Sequence, residues 1–158
     1  MAPEDLVELE EIKAVKYRYL RAVDTRDWEL LASTLTEDAT SAYSSGRLSH
    51  QGRDAIIAFL RESMPPGEML TSHKVHHPEI ELTGPDTATA RWALEDTVIV
   101  QSADLTIRGA AYYEDRMVKV DGRWLIAHTG YRRLYEEMSP RRDLSISDHW
   151  WKEQPAGA

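Results

Sequence analysis

The chain is expected to fold as an α+β domain, and three observations carry that expectation. Apolar residues recur at helical spacing between Pro3 and Arg61. From about His73 the period changes to two-fold and stays so through four long segments. Gly84-Pro85-Asp86 and Asp121-Gly122 separate the first and last pairs of those segments. Helices therefore come first and antiparallel strands follow, with no βαβ alternation.

The first helix is expected over Pro3–Asp24. With Ile12 at the origin of a helical wheel, Leu9, Val15, Tyr19, Leu20 and Val23 fall within about 80° of it and make an apolar stripe. Lys16 falls in the same stripe, and its stem is expected to snorkel to the surface. Tyr17 lies outside the stripe. A short second helix fits Asp27–Leu35, with Trp28, Leu31 and Leu35 on one side and Thr25 or Asp27 as its cap. Ala39–Tyr43 reads as a short strand and Ser44-Ser45-Gly46 as a turn. A third helix fits Asp54–Arg61, and Pro65-Pro66-Gly67 stops it. Strands are expected over His73–Leu82, Thr87–Val100, Leu105–Lys119 and Arg123–Tyr135, with a hairpin at Asp121-Gly122. Residues 1–138 are taken as one domain. The tail, 139–158, is expected to be irregular and to pack on the core or a neighbouring subunit, because the adjacent Trp150 and Trp151 call for cover.

The 158 residues suit a single core. A formal charge of −8 speaks against a nucleic-acid partner, whose footprint is basic. With no cysteine, the chain has no disulfide, thiol nucleophile or cysteine-ligated metal. The N-terminus lacks the basic and apolar regions of a secretory signal, and no apolar run reaches the ~18 residues of a membrane span. A cytoplasmic protein with no membrane partner is expected.

Candidate chemistry begins in Thr87–Val100. One face of this strand reads Ala88, Ala90, Trp92, Leu94, Asp96, Val98, Val100, apolar but for Asp96. A carboxylate on an inward face needs an ion-pair or hydrogen-bond partner. Arg132 and Arg133 must point to opposite sides of the last strand, and the inward one needs an anion, either Asp96 or a ligand. His73, His76 and His77 form a cluster suited to acid–base work near neutral pH. A metal site competes with that reading, but no third ligand has a recognisable spacing, and none is expected. A bulge at Pro78 would flip the register, so parity does not choose the inward histidine. Tyr19 and Asp24, at the end of the first helix, fit packing and capping roles as well as functional ones. Walker, Gly-x-Gly-x-x-Gly, Gly-x-Ser-x-Gly and His-Glu-x-x-His motifs are absent, which disfavours nucleotide, serine-hydrolase and zincin functions.

Several segments together resemble a known family. They are Lys16–Asp24 (KYRYLRAVD), Ala42–Leu48 (AYSSGRL), Ser63-Met64-Pro65, His73–Ile80 with its Pro-Glu-Ile ending, Thr87–Asp96 (TATARWALED) and Thr129–Glu137 (TGYRRLYEE). Their order and spacing are similar to those of the SnoaL-like, or nuclear-transport-factor-2-like, superfamily, and most closely to its bile-acid 7α-dehydratase and scytalone-dehydratase-type lyases. The resemblance implies a cone-shaped α+β barrel, a curved mixed or antiparallel sheet wrapped around N-terminal helices. It maps the family's functional tyrosine onto Tyr19, its aspartates onto Asp24 and Asp96, its histidine onto His73 and its arginine onto Arg133. Tyr43, Trp92, Tyr113 and Tyr131 are expected to line the pocket. The implied activity is a dehydratase needing no cofactor, with His73 as base and an apolar ring substrate, steroid-like or polyketide-like, either free or as a coenzyme A thioester. An isomerase or cyclase on the same fold and a non-catalytic binder of apolar ligands are the alternatives, because a fold alone does not set a function. A homodimer or homotrimer is expected. Lys74-Val75 and His76-His77 depart from the pattern and bear on the choice of substrate.

Overall fold

A computed structural model of the chain describes residues 2–152. Three helices and six strands follow one another as α1 (Pro3–Thr25), α2 (Trp28–Thr34), β1 (Leu35–Tyr43), β2 (Leu48–Gln51), α3 (Arg53–Ser63), β3 (Met69–Gly84), β4 (Thr87–Val100), β5 (Leu105–Val120) and β6 (Arg123–Pro140). The strands form one mixed sheet in the order β2-β1-β6-β5-β4-β3. Only β1 and β6 run parallel; every other neighbouring pair is antiparallel. The fold class is α+β, as expected, and α1 packs against both β3 and β6.

α1 buries Ile12, Val15, Tyr19, Leu20 and Val23 of the stripe that the wheel predicts, and half-buries Leu9. Lys16 is buried with them, against expectation: it does not snorkel but ends in an ion pair inside the core. Burying an ammonium is costly unless a counter-charge meets it, and Asp115 supplies one. Asp27 caps α2, its carboxylate accepting from the Leu30 N–H at 3.0 Å. Ile12, Leu31, Ile56 and Trp92 are fully buried between helices and sheet. Each such aliphatic side chain contributes about 1.5–3 kcal/mol by leaving water.

The long strands extend the sequence reading at their ends. β3 starts four residues earlier, at Met69, where it pairs with Val100, and β6 runs on to Pro140, paired with Leu105. β1 starts at Leu35 rather than Ala39. β2 is an element the sequence reading lacks. It pairs with β1 across the Ser44–Arg47 turn, where Ser44, Ser45 and Gly46 all have positive φ. Asp121 and Gly122 both have positive φ as well, which suits the two-residue hairpin that this dipeptide predicts. From Arg141 to Lys152 the chain is irregular. Trp151 covers the Arg26 guanidinium, 5.1 Å from ring centre to Cζ, while Trp150 is exposed. Residues 153–158 of the expected tail lie outside the described residues.

A bulge in β3 positions the site. Pairing with β4 jumps between His76 and Glu79, with His77 at φ 28°. Thr71, His73 and Val75 share the inner face before the jump, and Ile80 and Leu82 share it afterwards. β4 keeps strict alternation, with Ala88, Ala90, Trp92, Leu94 and Asp96 all buried.

Candidate active site

The inner face of the sheet is built in rows. Tyr43, Tyr131, Tyr113 and Trp92 form one aromatic row across β1, β6, β5 and β4. The ring centroids of Tyr43 and Tyr131 are 5.9 Å apart, and those of Tyr131 and Tyr113 are 5.6 Å apart in edge-on contact. On one side of this row lies a polar row of Ser41, Thr129 and Asp115. On the other lie Arg133 and then the paired positions Asp96 and His73. The structure thus brings all nine sequence-derived site positions to the helix-facing side of the sheet or to the end of α1.

Asp24 and His73 join α1 to β3. His73 Nδ1–H donates to Asp24 Oδ1 at 2.6 Å, and the His73 main-chain N–H donates to Oδ2 at 2.8 Å. Thr71 Oγ1 donates to Oδ1 at 2.9 Å. An ionised carboxylate only accepts hydrogen bonds, so the proton of neutral His73 resides on Nδ1 and Nε2 carries the lone pair. The pair faces a cleft of about 490 Å³, to which Tyr17, Leu20, Val75 and His76 also contribute. Of the other clustered histidines, His76 reaches Glu95 at 3.2 Å on the outer face, and His77 is exposed at the bulge. Among the described residues, no three metal-ligating side chains converge.

Asp96 and Arg133 form a two-pronged ion pair, with Nη1 to Oδ1 at 2.6 Å and Nη2 to Oδ2 at 2.8 Å. Arg133 is the inward member of its pair, whereas Arg132 is exposed. A β6 bulge opposite Ala110 and Ala111 lets its side chain reach back over β5 to β4. Gly109 lies beneath it, paired with Asp96; a Cβ there would come within 2.6 Å of Arg133 Nη1. Burial opposes the guanidinium charge, but the hydrogen bonds and charge of Asp96 outweigh it and hold the Arg133 pKa above its usual value. Glu136 Oε2 lies 3.2 Å from Nε, near enough for charge attraction yet out of line for a hydrogen bond, which leaves that buried N–H without an acceptor. The guanidinium also stacks 4.9 Å from the Tyr131 ring centre.

Tyr19 and Tyr43 meet hydroxyl to hydroxyl at 2.6 Å. Burial raises the pKa of both phenols above the usual tyrosine value, so both stay protonated at neutral pH. One hydroxyl hydrogen is used between them and the other remains to be donated. The sequence reading maps the family's functional tyrosine onto Tyr19; in the structure its hydroxyl shares a hydrogen bond with that of Tyr43.

Three polar residues here were not singled out in the sequence. Asp115 pairs with Lys16 at 2.8 Å, and Lys16 Nζ lies 3.5 Å from the Tyr113 ring centre. Burial lowers the Lys16 pKa and the charge of Asp115 opposes that shift. The inward parity of Gly109, Ala111, Tyr113, Asp115 and Met117 was a readable signal for Asp115. Thr71 and Arg26 surround Asp24; no sequence pattern marks either.

Comparison with known proteins agrees with this architecture. A putative scytalone dehydratase from Novosphingobium aromaticivorans superposes with a TM-score of 0.78 at 24% identity, over 87% of this chain and 91% of that one. A LinA-type3 hexachlorocyclohexane dehydrochlorinase from Novosphingobium barchaimii gives 0.77 at 19% identity, over 85% and 92%. A protein of unknown function from Mycobacterium tuberculosis gives 0.72 at 27% identity, over 84% and 76%. The first two likenesses establish the shared fold. A resemblance to bile-acid dehydratases in particular does not emerge from these comparisons. The SnoaL-like domain model matches residues 4–130, and with the mixed sheet wrapped on its N-terminal helices the chain belongs to the SnoaL-like domain family.

Proposed function

We propose that this protein is a lyase of the dehydratase type, acting without a cofactor on an apolar ring substrate that bears a carbonyl and a hydroxyl group placed β or vinylogous to it. The observation that carries the reading is the Asp24–His73 pair, which fixes Nδ1–H on the carboxylate and leaves Nε2 facing a cleft as a base. Two structural neighbours bear the names of eliminations, loss of water and loss of hydrogen chloride, and removing a proton from carbon is common to both.

In the proposed reaction His73 Nε2 takes a proton from a carbon conjugated to the carbonyl. The C–H electron pair enters the conjugated system and the carbonyl oxygen becomes an enolate or dienolate. The remaining hydroxyl hydrogen of the Tyr19–Tyr43 pair is donated to that oxygen as charge develops. The electrons then return, the C–O bond breaks, and the departing hydroxide takes a proton to leave as water. The imidazolium is the source of that proton, so His73 ends as it began. Asp24 orients the ring and stabilises its charged form. Asp96 and Arg133 provide a polar wall that fixes the substrate's oxygen functions.

The test compares wild type with His73→Ala on hydroxylated enones, including 7α-hydroxy-3-oxo-4-ene steroids, by the absorbance of the extended dienone. Wild type is expected to form the dienone, and the variant to lose about 10²–10⁴-fold in rate. Equal binding of the panel by both proteins with no reaction by either would overturn the reading.

A further inference from the structure

Arg26 occupies the left-handed C-cap of α1 at φ 58°, a conformation usually left to glycine. The strain is offset by what its side chain does. Nε donates to the Met64 carbonyl at 2.9 Å, Nη2 to the Met69 carbonyl at 2.6 Å and Nη1 to the Val23 carbonyl at 2.6 Å. The guanidinium is thereby locked between the end of α1 and the start of β3. From that position Nη1 also donates to Thr71 Oγ1 at 2.9 Å.

This last bond decides the direction of the next one. A guanidinium donates and never accepts, so Thr71 Oγ1 must be the acceptor from Arg26. The one hydroxyl hydrogen of Thr71 then points at Asp24 Oδ1, 2.9 Å away. Asp24 is gripped by three donors, Thr71 Oγ1, His73 N and His73 Nδ1, and its plane is set by them. We propose that Arg26 and Thr71 are positioning residues of a four-member relay, Arg26–Thr71–Asp24–His73, in which the guanidinium aims the Thr71 hydroxyl at Asp24 and so holds the carboxylate where it keeps the proton on His73 Nδ1 and leaves Nε2 as the base.

The relay rests on the proposed role of His73, but it has its own readout. The tautomer of neutral His73 is visible in ¹⁵N-histidine NMR of the full chain without any substrate. Thr71→Val removes the hydroxyl at nearly constant shape and is expected to lower the share of Nδ1–H tautomer. It should also lower kcat on the 7α-hydroxy-3-oxo-4-ene steroid by about tenfold with KM little changed, in line with one lost hydrogen bond to a charged group. Thr71→Ser keeps the hydroxyl and restores both. Arg26→Gln should shift the tautomer in the same direction, and combining it with Thr71→Val should add little further change, because both act through one hydroxyl. An unchanged tautomer in folded Thr71→Val, or fully additive effects with Arg26→Gln, would overturn the relay. Turnover surviving in His73→Ala would instead remove the base assignment and leave the tautomer result standing.

Discussion

Lys16–Asp115 and Asp24–His73 are two of the acid–base pairs that connect α1 to the sheet, and they have opposite characters. Lys16 and Asp115 meet at 2.8 Å with both side chains 0% exposed. Asp24 and His73, at the other end of the same inner face, meet at 2.6 Å with 22% and 14% of their side chains exposed. The first pair is sealed, its ammonium lying on the Tyr113 ring and reaching Thr129 at 3.3 Å. The second opens on a cleft and keeps one nitrogen uncommitted. Proximity of opposite charges is therefore not what marks a reactive site. A pair becomes chemically useful when one member retains an unused atom within reach of a visitor.

Substitutions can break that contrast, and the largest effect is expected at the open pair. His73→Ala should cost about 10²–10⁴-fold in turnover while shifting unfolding free energy by only about 1 kcal/mol, because Asp24 keeps two donors, Thr71 Oγ1 and the main-chain N–H of residue 73. Urea unfolding beside the dienone assay measures both. Lys16→Met should do the reverse and destabilise the fold by about 3–5 kcal/mol, since Asp115 would be left charged and buried without its partner. The double change Lys16→Met/Asp115→Leu should recover most of that loss; a single variant as stable as wild type would refute the structural role. Gly109→Ala should have an intermediate effect of about 1–3 kcal/mol, because its new methyl would displace Arg133 from Asp96. Its signature is a larger loss of turnover than of stability.

The smallest effect is a pH dependence. Burial raises the pKa of Tyr19, Tyr43 and Tyr113 above the ordinary value of 10.0, so the folded state keeps protons there that the unfolded chain loses. Their titration leaves stability unchanged below that pH and lowers it as pH rises past it. The depressed Lys16 pKa works in the opposite sense below 10.5, so the Lys16→Met/Asp115→Leu background isolates the tyrosines. Phenolate absorbance should show the signal of Tyr19, Tyr43 and Tyr113 only on unfolding. Phenolate signal from these three in the folded state would contradict their burial.

How much of this was legible in the sequence depends on the range of the contact involved. Asp96 was readable because β4 alternates without interruption, so one polar residue among five inward positions stands out. His73 was not readable by parity, since the bulge at His77 and Pro78 changes which residues face in; its assignment came from the family resemblance. β2 is short, polar and at the edge, and gives no periodic signal over four residues. The wheel placed Lys16 on the buried stripe, but its fate turned on Asp115, 99 positions further along the chain. Thr71 and Arg26 look like any threonine and any helix-end arginine until β3 is laid beside α1.

The bulge in β3 has a consequence for length variation within the strand. It acts as a change of reading frame in space: the segment ending at Val75 and the segment beginning at Ile80 are each in phase with the interior, but not with each other. Val75 and Ile80 lie five positions apart, an odd number, so a strand without the bulge would turn one of the two segments to solvent. If the apolar segment with Ile80 and Leu82 kept its hold on the core, His73 would be the side chain turned out. Removing one residue between Val75 and Ile80 would make their spacing even, and a regular strand would then carry both segments inward with no bulge, whereas a substitution leaves the parity untouched.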